Sequence, residues 1–324
     1  MILVIGGAGY IGSHIVKELL EQGRDVIVLD NLTTGKRDAV DPRAELIEAD
    51  LSDRKVLKEL FQSKPIEAVM HFAANSLVGE SVNKPYKYYE NNVGKTIILL
   101  EEMKEANINN FVFSSTAAVY GIPETDLISE DLATKPINPY GRSKLMVEHI
   151  LEDAFQAHGL NYVTLRYFNA AGAYHTGEIG ESHDPETHLI PIILGHLLGE
   201  RESISVFGTD YPTQDGTCIR DYIHVSDLAS AHILAVDALI DKKVDRRVYN
   251  LGNGAGYSVK EVIEACQEVT GIQANVVESP RRAGDPAVLV ASSKKIRDEL
   301  NWAAKYDLNA IISSAWNWHK NRTY

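Results

Sequence analysis

Cysteine is nearly absent from this chain: Cys218 and Cys266 are the only two in 324 residues. So few, and so far apart, they provide neither a disulfide framework nor a thiolate metal site. No run is apolar enough to span a bilayer. Met1 leads straight into an apolar strand-like segment, leaving no room for a secretory leader, so a cytoplasmic protein is expected. Positive charge is also scarce. Lys and Arg number 32 against 45 Asp and Glu, a formal net charge of −13, which argues against nucleic acid or an anionic membrane as partner. A small anionic substrate stays open wherever a site gathers cations locally. The 11 histidines show no paired metal-ligand spacing. His175, His183 and His188 fall in one loop-like stretch, without cysteines and without a helical His-x-x-x-His pair, so no metal site is expected.

What is present is ordinary for a globular protein, with 44% hydrophobic and 24% charged residues. The length suits one large domain or two modest ones. Ile2-Leu3-Val4-Ile5 reads as a buried strand. Gly6, Gly7, Ala8, Gly9, Tyr10, Ile11 and Gly12 follow and open a helix through Gln22; a second strand, Asp25 to Leu29, ends at Asp30. Strand, glycine turn, helix and strand ending in an acid is the dinucleotide-binding arrangement. Its glycines permit the tight turn and let a pyrophosphate reach the amides at the helix N-terminus. Asp30 is placed to accept from a ribose 2′-hydroxyl and to repel a 2′-phosphate, which favours NAD over NADP.

A second motif lies in Asn138-Pro139-Tyr140-Gly141-Arg142-Ser143-Lys144. Residues four apart share one helix face, and Pro139 suits the first helical position. Tyr140 is therefore expected in the first turn, where the helix N-terminus and the Lys144 ammonium both favour a phenolate. Tyr-x-x-x-Lys alone more often marks an ordinary surface pair. Its coincidence with the glycine turn raises both.

Helix and strand patterns alternate through the first half. Strands are predicted at 44–48, 68–72, 111–115 and 162–166, and helices at 53–61, 86–106 and 140–157. Such alternation predicts a doubly wound parallel sheet with ligands at the strands' carboxyl ends. After Asn169 the character changes: 170–185 resembles an active-site loop and 208–216 is turn-rich. Ser258-Val259-Lys260-Glu261 fits a capping box for a helix ending at Gly271. The expected fold class is α/β, a Rossmann-type doubly wound parallel sheet with a smaller interleaved mixed α/β domain. Residues 1–168, with a returning segment at about 217–252, are expected to bind NAD, and 169–216 with 253–324 the substrate.

The glycine spacing, G-x-x-G-x-x-G, resembles the extended short-chain dehydrogenase/reductase family, whose base is the tyrosine of Tyr-x-x-x-Lys. Further stretches resemble that family's UDP-glucose 4-epimerase group: Gly6 to His14, Asp30-Asn31-Leu32, His71-Phe72-Ala73-Ala74, Tyr89 to Val93, Arg166-Tyr167-Phe168-Asn169, Asp210 to Val225, and Arg281-Arg282-Ala283-Gly284-Asp285. These matches run in order over nearly the whole chain. The resemblance implies Tyr140 as base, Lys144 as its tuning cation, and Thr116 beside the substrate hydroxyl. It implies cofactor contacts from Gly6, Gly9, Tyr10, Ile11, Gly12, Asp30, Asn31, Asp50, Leu51, Phe72, Ala73, Ala74, Asn91, Lys144 and Phe168. Substrate contacts would come from Thr116, Tyr140, Asn169, Leu189, Val206, Phe207, Arg220, Tyr222, Arg282 and Asp285. It further implies a UDP-hexose substrate, resident NAD, and a homodimer pairing helices 86–106 and 140–157 through Ile97, Leu100 and Met103. The segment after Asp285 is one residue shorter than a common pattern, leaving Val288 or Leu289 where some members place a tyrosine against the hexose. The freed volume is expected to admit an N-acetyl group. Alternatives are another nucleotide-sugar epimerase or dehydratase of the same family, or a non-catalytic NAD-binding protein.

Overall fold

Short apolar runs such as Ile2–Ile5 and Val26–Leu29 become adjacent strands of one sheet. The computed structural model describes residues 1–282 and 285–324; Ala283 and Gly284 of the Arg281–Asp285 motif lie outside them. Seven strands lie in the order 246–251, 161–167, 110–116, 68–71, 2–5, 26–30 and 45–48. The pairings among the five strands from 110–116 to 45–48 are all parallel. Ile2–Ile5 is fully buried, as a strand covered on both faces must be. The strand order reverses beside it, between Ile2–Ile5 and Ala68–His71, the place where doubly wound sheets bind ligands.

The chain forms two compact units. The first comprises 1–121, 132–166 and 229–249; the second comprises 122–131, 167–228 and 250–324. The expected returning segment, about 217–252, thus appears as the shorter stretch 229–249 in the first unit. Strand 246–251 does join the main sheet. In the first unit, Leu3, Ile27, Val69, Phe111, Phe113 and Val147 share one apolar core.

The second unit holds a mixed sheet ordered 256–258, 219–224, 288–291 and 127–128, with 169–171 also paired to 219–224. Strand 256–258 runs antiparallel to 219–224, and the other resolved pairs are parallel. A core of Ile190, Ile193, Leu194, Val206, Tyr222, Val262, Ile311 and Ile312 binds its helices to the sheet. The Ser258 capping box is present, and the helix it opens, Val259–Thr270, ends at Gly271 with φ 72°.

The predicted helix 86–106 is not continuous. Pro85–Tyr88 passes into a wider π-helical turn, Tyr89–Gly94, before Lys95–Glu105 resumes. The Asn92 carbonyl accepts from the Thr96 hydroxyl at 2.8 Å, while its side chain bridges the amide and carbonyl of Asn75. Such turns interrupt helices where side chains must be re-aimed.

Candidate active site

The first unit carries the catalytic candidates and every cofactor candidate except Phe168. Gly6 adopts φ +79°, and a Cβ there would sit 2.5 Å from the Ala73 amide nitrogen. The two strand ends on either side of the order reversal therefore approach as only glycine allows. A Cβ on Gly12 would lie 2.2 Å from the Gly6 carbonyl oxygen. Helix Tyr10–Glu21 starts at Gly9 with neither a side-chain cap nor an acid in its first turn, which leaves the helix N-terminus suited to an anion. Tyr10 and Ile11 stand in that first turn.

Asp30 ends the second strand, as expected. Its carboxylate accepts from the Ala8 amide at 3.0 Å and the Leu32 amide at 2.9 Å, so it also braces the glycine turn. Burial raises its pKa against those two bonds. Asn31 donates to Asp50 at 2.9 Å, and Lys95 reaches the same carboxylate oxygen at 2.7 Å. Burial alone would raise the Asp50 pKa, but hydrogen bonds from Lys95, Ser52 and Asn31 hold it well below the usual range. Leu51 is buried beside it. Phe72 packs against His232, with ring centroids 4.9 Å apart. Ala73 meets Gly6, and Asn91 donates to Asn92 at 3.1 Å. Ala74 follows in the same loop, between Ala73 and the Asn75 held by Asn92. The turn, the strand-end acid and the uncapped helix fit a dinucleotide.

Asn138 caps helix Pro139–His158 by accepting from the Gly141 amide, with Pro139 at the first position. Tyr140 is accordingly in the first turn, hydrogen-bonded to the Thr116 hydroxyl. Lys144 is buried and donates to the Ser114 carbonyl at 2.7 Å. Its ammonium also lies 4.8 Å from the Phe113 ring centroid. Burial pushes its pKa down to about 7, with the Glu148 charge pulling the other way. The expected phenolate-favouring balance is not what this pocket gives Tyr140 by itself. Burial raises the phenol's pKa, and the Thr116 bond offsets that only in part.

Sequence reasoning missed the groups that hold this set in place. Glu148 accepts from Arg166 through Nε and from Ser115 Oγ, and Arg166 donates to the Tyr120 hydroxyl at 2.8 Å. Asn92 donates to Ser143 at 3.0 Å, one residue before Lys144. The sole sequence signal was position: Glu148 and Ser143 lie on the same helix as the motif.

The second unit carries the nucleotide candidates. Arg220 pairs with Asp285, its guanidinium donating to the carboxylate at 2.5 Å. The Arg282 guanidinium stacks over Phe207 at 3.9 Å, and a planar fork of donors is the kind of group that suits phosphate oxygens. Asn169 donates to the Asp221 carbonyl at 2.9 Å and lies in register with Tyr222. Phe168 is the one residue between strands 161–167 and 169–171. Leu189 opens helix Leu189–Leu197. The side chains of Val206 and Tyr222 belong to the core, so a ligand contact from Val206 would come through its backbone.

The glycine turn, the acid at Asp30 and the Tyr140–Lys144 pair all lie within residues 2–252, which a family model matches. The chain belongs to the NAD dependent epimerase/dehydratase family. Within that family it is 53% identical over 324 residues to a UDP-glucose 4-epimerase of Halalkalibacterium halodurans, covering 100% of this chain and 96% of that protein. A crystal structure of a UDP-glucose 4-epimerase superposes with a TM-score of 0.97 at 52% identity, over 99% of this chain and 98% of that one. A Bifidobacterium longum UDP-glucose 4-epimerase, solved with NAD+ and UDP, gives a TM-score of 0.93 at 40% identity, over 98% of each chain.

Proposed function

We propose that the chain is an isomerase interconverting UDP-galactose and UDP-glucose through a transient 4-keto sugar, with NAD as a resident cofactor. The observation that carries this is the Thr116, Tyr140 and Lys144 set, with Thr116 and Lys144 buried, in the same unit as the glycine turn. The inverted sugar carbon is not acidic, so direct deprotonation there is unpromising, and oxidation to a ketone removes the stereocentre. NAD supplies, when bound, a hydride acceptor and donor that is restored within each turnover. Tyr140 takes the proton of the 4-hydroxyl and later returns it, acting as base and then acid. Thr116 holds that hydroxyl in line. Lys144 supplies the positive charge that makes a phenolate attainable against the burial of the phenol. Arg220, Arg282, Asp285 and Asn169 hold the uridine diphosphate, leaving the hexose loosely bound so that it can present either face.

A dehydratase on the same scaffold would need a further acid and base to expel water. Thr116 is followed by Ala117 and Ala118, which start a short turn and carry no titratable group, and this favours the epimerase reading. The same Thr116, Tyr140 and Lys144 set also argues against a non-catalytic NAD-binding protein.

The chain pairs with a second copy through helices of the first unit. Tyr86 is 85% exposed and Val82 61% exposed, with Ile97 and Met146 also exposed. Of the stripe named from the sequence, Met103 is fully buried and Leu100 packs on the core, so only Ile97 remains available. No helix of the described residues is long and apolar enough to cross a membrane. A cytoplasmic location is supported by two buried free cysteines. Incubating the purified protein with UDP-galactose, with and without added NAD, and identifying the product sugar tests the reading; no UDP-glucose in either would overturn it.

A further inference from the structure

Four side chains in the loop leading to helix Leu189–Leu197 converge on one point. A ligand atom from each of Glu181, His183, Glu186 and His188 lies within 4.8 Å of all the others. Glu181 Oε1 is 3.0 Å from His183 Nδ1 and 2.7 Å from His188 Nδ1. Glu186 Oε1 is 3.1 Å from His188 Nδ1, and its Oε2 is 3.7 Å from His183 Nδ1. Four donors held at about 2.0–2.2 Å around a tetrahedral ion stand roughly 3.3–3.6 Å apart. The nitrogen–oxygen separations here run from 2.7 to 3.7 Å, three of the four below that spacing, so the side chains spread to admit an ion.

We propose that Glu181, His183, Glu186 and His188 form a closed, structural Zn2+ site. The two imidazole rings stand with centroids 5.2 Å apart and both address one carboxylate oxygen. Binding balances when one Zn2+ enters, two neutral imidazoles ligate it, and any protons the rings carried leave to solvent. The donor set, two nitrogens and two carboxylates without a thiolate, suits Zn2+ better than Mg2+ or Ca2+, which prefer more oxygen ligands. Four protein ligands leave no open coordination position, so the ion would not act on substrate.

The surroundings are those of a supported site. Glu186 Oε1 accepts from the Thr187 and His188 amides at 2.7 and 2.8 Å, which fixes the carboxylate and leaves Oε2 for an ion. Trp318 Nε1 donates to the Glu181 carbonyl at 2.9 Å. His319, next to Trp318, is buried with neither ring nitrogen hydrogen-bonded and lies within electrostatic reach of Glu181 and Glu186. The ion would rigidify this loop, which the Trp318 bond already joins to the C-terminal helix Leu308–Asn321, and fix the start of the helix carrying Leu189. The spacing Glu-x-His-x-x-Glu-x-His follows no helical or strand period, which is why no metal was expected from it.

The test uses tag-free full-length protein, stripped with chelator and titrated with ZnCl2 by calorimetry, with Co2+ as an optical probe. One ion per chain, a tetrahedral Co2+ spectrum and a melting temperature that rises on adding Zn2+ are expected. His183→Asn/His188→Asn should abolish the Co2+ spectrum. Should that variant fail to fold, Glu186→Gln keeps the amide bonds and is expected to weaken Zn2+ binding by about tenfold or more. No stoichiometric binding by the native chain, or affinity unchanged within about twofold in both variants, overturns the proposal.

Discussion

Tyr140 and Lys144 meet residues two apart on one strand: Tyr140 bonds the Thr116 hydroxyl and Lys144 the Ser114 carbonyl. Four helical residues advance about 6 Å and two strand residues about 6.6 Å. The Tyr-x-x-x-Lys spacing is thus matched to the end of strand 110–116, which presents both partners. This pairing seats the phenol at the carboxyl end of the strand and anchors the ammonium one helical turn further along.

Removing the phenolic oxygen should remove proton transfer and little else. Tyr140→Phe is expected to cut turnover by about 10²–10⁴-fold while the purified protein still carries NAD. Rates measured alongside the nucleotide released on denaturation check both halves. Retention of most activity would refute the assigned base.

Lys144 separates stability from activity. Its pKa is 10.5 as a free side chain and about 7 in the fold, so between those values the unfolded chain binds more protons and stability rises with pH. Below about pH 7 the amine is charged in both the folded and the unfolded chain, so the penalty for burying it in the fold no longer changes with pH. Lys144→Met should lose about 10²-fold or more in turnover, yet melt no lower than the native chain at pH 7. It should also lose the rise in melting temperature between pH 7 and 10. Melting curves across that window decide the matter; a variant that melts well below the native chain at pH 7 counts against the buried-cation argument.

Glu148 and Arg166 form a buried ion pair, with side chains 6% and 8% exposed. Glu148→Ala leaves Arg166 charged and without its carboxylate, a change that costs about 3–5 kcal/mol in comparable buried pairs. Denaturant unfolding should show that loss. Because the Glu148 charge holds the Lys144 pKa up, Glu148→Gln should additionally shift the pH profile of turnover. An unchanged profile would separate Glu148 from the catalytic set.

Much of this was legible from the chain because the governing patterns are local. The glycine turn, Asp30, the Pro139 start and the Ser258 box each act within a few residues, and each stands where its spacing placed it. What the sequence hid was long-range or aperiodic. Ser115, Tyr120, Glu148 and Arg166 meet across 18 to 46 positions. The turn at Tyr89–Gly94 depends on Asn75 seizing Asn92, a contact no helical period announces. The phenol's burial, too, is set by packing and not by the four-residue spacing.

Assembly gives a direct physical test. Val82, Tyr86, Ile97 and Met146 are apolar and exposed in the first unit, and closed two-fold pairing is the commonest way to cover such a surface. Light scattering at micromolar concentration should return the dimer mass, about twice 35.8 kDa. Replacing Tyr86 and Met146 with charged residues should yield monomers. A monomeric native chain would reject the pairing.

Substrate breadth turns on the strand after Asp285. The sequence left Val288 or Leu289 facing the hexose. Leu289 lies in register with Arg220, and Val288 with Ile219. Paired residues of parallel strands project to the same side of a sheet, so Leu289 shares its face with the arginine assigned to the diphosphate. Leucine is smaller than tyrosine and carries no hydroxyl, and the space it leaves is expected to admit an N-acetyl group at C2 of the sugar. The native protein should therefore turn over UDP-N-acetylglucosamine as well as UDP-glucose and UDP-galactose. Leu289→Tyr should lower kcat/KM for the acetylated sugar selectively, by about tenfold or more, since an oversized side chain rejects by steric clash. Val288→Tyr, on the other face, should not discriminate between the sugars. Comparing the four values of kcat/KM for the two variants, each with an acetylated and a plain sugar, isolates the effect. Absence of acetylated turnover in the native chain sinks the prediction, because the neighbouring side chains would then have filled the space.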